Sequence, residues 1–173
     1  MENLRCGIFG SPPEYFAWGY NEEHARCKGL KHRLAREIAR QREKGVTCFA
    51  VAMDGGVGLY AAEEINRLRE EEPGLSLICR VPYEEQAAKW PPELQARYYN
   101  TLADCTEVVT LSARPSPGCV GKTRMATAEY ADVMIIVRSR EEPEDEIEVL
   151  YDVIRHKGCW VVDVYPPDRR VAK

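Results

Sequence analysis

The sequence lacks the features that mark several common functional classes. No apolar run is long enough to cross a bilayer, and the start, Met1–Cys6, has no signal-peptide core. The seven cysteines are scattered and form no Cys-x-x-Cys pair, which argues against a disulfide framework and against a zinc site. The three histidines lie far apart, and no Ser-His-Asp arrangement or metal cluster is recognisable. We therefore expect a cytoplasmic protein without membrane contact, and predict no cofactor.

Positive charge is not in excess either. The formal net charge is −4, so we expect no general attraction to nucleic acid phosphates and no nucleic acid partner. Hydrophobic residues make up 45% of the chain and charged residues 30%, as in globular proteins. With 173 residues, the chain is long enough for one domain with a proper core and too short for two ordinary ones. We predict a single domain over residues 1–173 and leave a homodimer open.

Short apolar runs alternate with helical patterns along the whole chain. The predicted strands are Arg5–Gly10, Val46–Met53, Ser76–Val81, Glu107–Ser112, Val133–Val137 and Cys159–Val164. The predicted helices are Ala25–Lys44, Leu59–Glu71, Pro92–Cys105, Thr123–Ala131 and Glu144–His156. Such alternation predicts one doubly wound α/β domain of the Rossmann-like type, with a mainly parallel sheet and helices on both faces. Ligands of such sheets bind beyond the carboxyl ends of the strands, so the loops that follow strands are the candidate site.

A glycine turn joins the second strand to the next helix. Gly55, Gly56 and Gly58 stand in the segment Ala52–Glu63, where a strand leads through a turn into a helix. Backbone N–H groups at a helix N-terminus favour an anionic or nucleotide-like ligand, and glycine removes the Cβ atoms that would hold it away. A side chain at Gly56 would then block the ligand. The alternative is a tight turn that allows close packing of helix on strand.

The first and third strand loops also carry candidate groups. Gly10 ends the first strand, and its loop is either a ligand rim or a rigid surface turn. After the third strand, Tyr83, Gln86 and Trp90 supply two rings and an amide that suit a base and a ribose. The alternative is that Trp90 fills the core and that the glutamates of this loop are solvated.

The segment Ser116–Thr123 is similar to a P-loop only at its end. Ser116 stands where that motif needs glycine, and Pro117 has no N–H to donate to a phosphate. A looser anion-binding role for Lys122 and Arg124 is the favoured interpretation.

Motifs in three loops resemble those of one family. The matching residues are Gly10, Pro13, Glu14 and Trp18–Tyr20 in the first loop, Met53, Gly56, Val57 and Ala61–Glu63 in the second, and Pro82, Gln86 and Trp90 in the third, followed by Arg97 and Tyr98. Together they resemble the YpsA-like group of the SLOG superfamily, Rossmann-like proteins related to the LOG phosphoribohydrolases and to the DNA-processing protein DprA. The resemblance extends from about Ile8 to Val164.

The sequence departs from this family pattern on its phosphate side. Ser11 and Pro12 stand where histidine and arginine are expected, and Gly58 replaces an aspartate. The family's glycine-rich loop after the fifth strand is absent, since residues 138–143 contain no glycine. The resemblance therefore implies the fold more firmly than the ligand.

From these motifs we predict a cytoplasmic binding module for a nucleotide or a nucleotide-derived signalling molecule. The predicted ligand-binding residues are Gly10, Ser11, Asp54, Gly55, Gly56 and Val57 on the floor, Pro82, Tyr83, Gln86 and Trp90 on the rim, and Lys122 and Arg124 near a phosphate. One alternative, implied by the LOG relationship, is an enzyme that cleaves an N-glycosidic bond with help from Glu63 or Glu84. Another is a protein whose site binds no ligand and whose role is a protein–protein contact.

Overall fold

A computed structural model describes residues 3–168 of the chain. The predicted domain of residues 1–173 extends past both ends, and residues 1–2 and 169–173 lie outside the described residues. The strands are β1 (Leu4–Gly10), β2 (Val46–Ala52), β3 (Ser76–Val81), β4 (Glu107–Thr110), β5 (Val133–Val137) and β6 (Trp160–Val164). The helices are α1 (Ala25–Glu43), α2 (Val57–Glu71), α3 (Pro92–Asp104), α4 (Cys119–Tyr130) and α5 (Glu144–Lys157), with one 3₁₀ turn at Pro13–Tyr15.

The strands form one parallel sheet in the order β4-β3-β2-β1-β5-β6. The chain builds outward from β1 to β4 and then returns to the other side of β1, so the order reverses between β1 and β5. This confirms the predicted doubly wound, mainly parallel α/β fold. Because all strands run in the same direction, the loops that follow them gather at one edge of the sheet.

Helices cover the sheet on both faces. Buried side chains of α1, α2 and α3 pack on one face in a large cluster that includes Leu34, Ile65 and Tyr98. On the other face, α4 and α5 pack against alternate strand residues such as Phe9 and Met134. None of the helices in the described part of the chain has the length and apolar character that crossing a bilayer requires.

The predicted boundaries differ from the observed ones by two residues or more at α2, α4 and β4, and α2 begins at Val57 rather than Leu59. Helix α4 begins at Cys119, four residues before the predicted start, because Gly118 has the left-handed conformation (φ 73°) that allows the chain to turn into the helix. The P-loop-like segment is therefore partly helical. Strand β4 ends at Thr110 rather than Ser112, and its residues are mostly exposed because it is the edge strand of the sheet.

Candidate functional site

A cleft of about 220 Å³ opens at the carboxyl edge of the sheet. Its walls come from the ends of β1 and β2, the loops that follow β1, β2 and β3, and the first turns of α4. Among the predicted site residues, the structure brings eight to this cleft: Gly10, Asp54, Gly55, Pro82, Tyr83, Gln86, Trp90 and Arg124. These residues come from four separate segments of the sequence.

Asp54 occupies the N-terminal end of α2. Its carboxylate oxygen Oδ1 accepts hydrogen bonds from the backbone N–H groups of Gly56 (2.8 Å) and Gly58 (2.9 Å). Gly56 is one of the residues that we predicted to bind a ligand. The protein's own carboxylate thus satisfies two backbone N–H groups at the N-terminal end of α2. A negative charge is favourable at this end of a helix.

The environment of Asp54 raises the pKa of its carboxyl from 3.8 to about 6. Burial is the largest cause, since it disfavours the charged form, and the nearby Glu14 carboxylate acts in the same direction. The two backbone hydrogen bonds and the Arg124 guanidinium oppose the shift. Asp54 therefore titrates close to neutral pH, in a position that faces the cleft.

The glycines of this turn are needed for packing. A Cβ atom at Gly56 would lie 2.7 Å from Cγ of Pro13, and one at Gly58 would lie 2.4 Å from the carbonyl oxygen of Ala52. Gly10 is similarly close to Val57, with a Cβ distance of 2.4 Å. Gly56 and Val57 do not line the cleft; Val57 is buried in the core. A side chain at Gly56 would meet Pro13 rather than a ligand.

The loop after β3 is fixed by its own side chains. Gln86 donates from Nε2 to the carbonyl oxygen of Met53 (2.9 Å) and accepts at Oε1 from the Tyr98 hydroxyl (3.0 Å). Trp90 packs edge-on against Tyr98, with ring centroids 5.0 Å apart. Another part of the Trp90 ring faces Gly55. The Pro-x-x-x-Gln-x-x-x-Trp element thus ties β2, the third loop and α3 together beside the cleft.

Arg124 is a buried cation with partners inside the protein. Its guanidinium forms an ion pair with the buried Glu142 (Nη1–Oε2 3.1 Å) and donates from Nη2 to the carbonyl oxygen of Gly10 (2.7 Å). It also lies over the Phe9 ring, 4.9 Å from the centroid. Glu142 therefore compensates its charge at the cleft.

The other predicted residues lie outside the cleft. Ser11 is buried, and its hydroxyl accepts from the backbone N–H of Ser139 (2.8 Å), which joins the loops after β1 and β5. Lys122 is exposed on α4. Glu63 forms a bidentate pair with Arg97 in a surface groove, and Glu84 is exposed, so neither predicted carboxylate lines the cleft.

Nine residues that line the cleft were not predicted as part of the site, and two of them carry titratable side chains. Glu14 and Tyr20, both in the first loop, line the cleft beside Asp54 and Gly55. Burial raises the pKa of the Tyr20 hydroxyl, and the carboxylates of Glu14 and Asp54 raise it further. Both residues belong to the first-loop motif quoted above, which was the available signal. Because both residues are far from Asp54 in the sequence, the sequence does not show that they line the same cleft.

The fold and the cleft define a class of protein: a single-sheet Rossmann-like protein with a ligand-sized cleft at the carboxyl edge of its parallel strands. Within this class, residues 15–157 match the model of the YspA SLOG family (YpsA). The chain belongs to this family.

Curated relatives agree and show that the chain is a divergent member. It is 26% identical over 124 residues to a UPF0398 protein of Brevibacillus brevis, covering 70% of this chain and 66% of the relative. It is 30% identical over 114 residues to a UPF0398 protein of Bacillus licheniformis, covering 65% and 62%. A UPF0398 protein of Halalkalibacterium halodurans is 26% identical over 99 residues, covering 57% and 52%. The chain thus matches about half to two thirds of the length of these relatives, and their names state no activity.

Proposed function

We propose that this protein binds a nucleotide-derived small molecule in the carboxyl-edge cleft. The observation that carries the proposal is the meeting of aromatic rings and a carboxylate in one cleft. Tyr20, Tyr83 and Trp90 line it together with Asp54. Aromatic rings stack on a base, and a carboxylate accepts hydrogen bonds from ribose hydroxyls. The position of the cleft, at the end of a parallel sheet whose strand order reverses nearby, also supports a ligand site.

A binding screen tests this proposal. Thermal shift against nucleosides, nucleotides, cyclic dinucleotides and ADP-ribose derivatives should identify a ligand, and calorimetry should then measure its affinity. Tyr83→Ala removes a half-buried ring from the cleft and is expected to weaken binding about tenfold, since stacking on a base contributes about 1–3 kcal/mol. Tyr99→Ala is the matched control, because Tyr99 is an exposed ring on α3 outside the cleft. If no compound in the screen binds, the proposal fails and a protein–protein role gains support.

Cleavage of an N-glycosidic bond is the second candidate, and one observation favours it. Two carboxylates, Glu14 and Asp54, line the same cleft, and the raised pKa of Asp54 suits proton transfer near neutral pH. Such a pair has the composition that glycoside hydrolysis uses, one group as acid and the other as base or nucleophile. Glu14 and Asp54 replace Glu63 and Glu84 as the candidate catalytic carboxylates, because Glu63 and Glu84 lie outside the cleft.

Chromatography of incubated ligand separates the two functions. An enzyme should release free base from a nucleoside or nucleotide, and Asp54→Asn should abolish that release. A binding protein should return the ligand unchanged. Glu84→Gln serves as the control in the first case and should keep full turnover, because Glu84 is exposed outside the cleft.

A further inference from the structure

We infer that the ligand presents a neutral or cationic donor group, such as the ribosyl group of a nucleoside, to the floor of this cleft. It does not present a phosphate there. The inference rests on the proposed function and narrows its ligand class. Its basis is the distribution of donors, acceptors and charges at the cleft.

The donors that would hold a phosphate at α2 are already in use. Asp54 Oδ1 accepts from the N–H groups of both Gly56 and Gly58, so a phosphate could reach them only by displacing a carboxylate of the same charge. The other oxygen, Oδ2, accepts no hydrogen bond from the described residues. It is available to a donor such as a hydroxyl or an ammonium group.

The charge of the cleft also opposes an anion. Among the described residues that line it, Glu14 and Asp54 are acidic and Arg124 is the one basic side chain. Glu142 neutralises Arg124 at 3.1 Å, and both members of this pair are buried. Lys122, the other predicted phosphate ligand, is exposed outside the cleft. The uncompensated charge at the floor is therefore negative above the pKa of Asp54, which is about 6.

A ribose fits this arrangement better than a phosphate. Its vicinal hydroxyls donate hydrogen bonds to a carboxylate without adding negative charge, and a carboxylate is an acceptor only. The base then extends toward the rings of Tyr20 and Trp90, which flank Gly55. Neither the ribose nor the base needs a cationic side chain for binding.

Paired ligands test the inference. Calorimetry at pH 7.5 with adenosine, guanosine, cytidine and uridine, each beside its 5′-monophosphate, tests this preference. At least one nucleoside should bind about tenfold or more tightly than its monophosphate, because like charges near a protein surface repel each other more strongly than in bulk water. Asp54→Asn keeps an oxygen for the two backbone N–H groups and removes the charge. It should reduce this preference about tenfold, by weakening the nucleoside and strengthening the monophosphate.

Two further variants secure the result. Glu14→Gln removes an exposed carboxylate of the same cleft and should reduce the preference in the same direction, so the test stands even if Asp54→Asn misfolds. Glu84→Gln removes an exposed carboxylate outside the cleft and should leave the preference unchanged.

Each adverse outcome has a distinct meaning. If the monophosphates bind as tightly as the nucleosides or more tightly, the inference is wrong while the proposed function stands; the first turn of α4, where Val120 lines the cleft, would then be the anion site. If no nucleoside or nucleotide of any kind binds, both the inference and the proposed function fail.

Discussion

Asp54 links the fold of this protein to its candidate site. Its carboxylate caps the turn before α2 through Gly56 and Gly58, and the same side chain faces the cleft. This partly buried carboxylate stabilises the helix end but resists ionisation, and the pKa of about 6 expresses that balance. The residue is thus both a structural cap and a titratable group that faces the cleft.

The raised pKa of Asp54 predicts a pH-dependent stability. Between pH 3.8 and about 6 the folded protein holds a proton that the unfolded chain has lost, so the stability contributed by Asp54 is present below pH 3.8 and is lost as the pH rises through about 6. In Asp54→Asn this loss is removed. The free energy of unfolding of the variant minus that of the wild type should therefore increase between pH 4 and 7, by at most about 3 kcal/mol.

Urea unfolding of both proteins at a series of pH values measures this difference. The direct loss of a charged cap in the variant adds an offset that does not depend on pH above about 6. A difference that stays constant from pH 4 to 7 would show that Asp54 has an ordinary pKa.

The glycine turn predicts opposite effects for two similar substitutions. Gly58 lies in the first turn of α2, and Gly121 lies in the first turn of α4. Substitution by alanine raises the helix propensity at both positions. At Gly58, however, the new Cβ would lie 2.4 Å from the carbonyl oxygen of Ala52 and 3.0 Å from Cα of Met53, and backbone cannot move away cheaply. We expect Gly58→Ala to lose about 1–2 kcal/mol of unfolding free energy.

Gly121→Ala is the control, because a Cβ atom there meets nothing within 4 Å. It should gain up to about 1 kcal/mol from helix propensity alone. Chemical denaturation of both variants measures the pair, and a Gly58→Ala variant as stable as the wild type would contradict the packing role of this glycine.

At the scale of the elements, one arginine joins three parts of the structure. Arg97 on α3 forms ion pairs with Glu63 on α2 (2.6 Å) and with Glu22 in the first loop (2.6 Å), and Glu22 also pairs with Lys31 on α1 (2.5 Å). Glu22 follows Tyr20 closely, and its backbone N–H bonds the Tyr20 carbonyl oxygen (3.1 Å). The network therefore holds the loop that brings Tyr20 to the cleft.

Arg97→Met should loosen this loop. Because the ion pairs are partly exposed, we expect a loss of only about 1 kcal/mol of unfolding free energy. High salt should shrink the loss, since it screens the pairs. Ligand affinity should fall as well, because the position of Tyr20 is no longer fixed. Denaturation in low and high salt, together with calorimetry, measures both effects.

Arg67→Met is the matched control for this network. Arg67 pairs with Glu64 on the exposed side of α2 and forms no ion pair with another element among residues 3–168, so its loss should change stability and binding little. Equal effects of the two variants would show that Arg97 contributes no more than an ordinary surface pair.

At the scale of the whole molecule, the sheet joins the two hydrophobic clusters on its faces into one folding unit. Alternate residues of the same strand serve both faces: Ile8 packs with α1 and α2, and the adjacent Phe9 packs with α4 and α5. Because the same strands contribute to both clusters, neither cluster can unfold while the other stays folded. The single domain predicted from the sequence therefore implies one cooperative unfolding transition.

Coincident transitions test this expectation. Far-ultraviolet circular dichroism follows all helices. The change in tryptophan fluorescence comes mainly from Trp18 and Trp90 on the face covered by α1, α2 and α3, because Trp160 is already 79% exposed in the folded protein. The two signals should share one urea midpoint. Separate midpoints would indicate that the helix layers on the two faces of the sheet unfold independently.

The sequence by itself determined the fold of this protein. Short runs such as Val133–Val137, apolar on both faces, are typical of inner strands between helix layers. Their alternation with amphipathic helices favours a doubly wound parallel sheet. It also indicated the edge of the sheet where the cleft lies, since loops after parallel strands share one edge. Eight of the predicted residues meet there for that reason.

Only the tertiary structure decided what the groups of that edge do. Local spacing does not show that the Asp54 carboxylate takes the N–H groups of its own turn, nor that the glycines make room for Pro13 and Ala52 rather than for a ligand. The pairing of Arg124 with Glu142 and the approach of Glu14 to Asp54 depend on how distant loops run over the sheet. The charge of a cleft is a sum over segments far apart in sequence, and it is set when the chain folds.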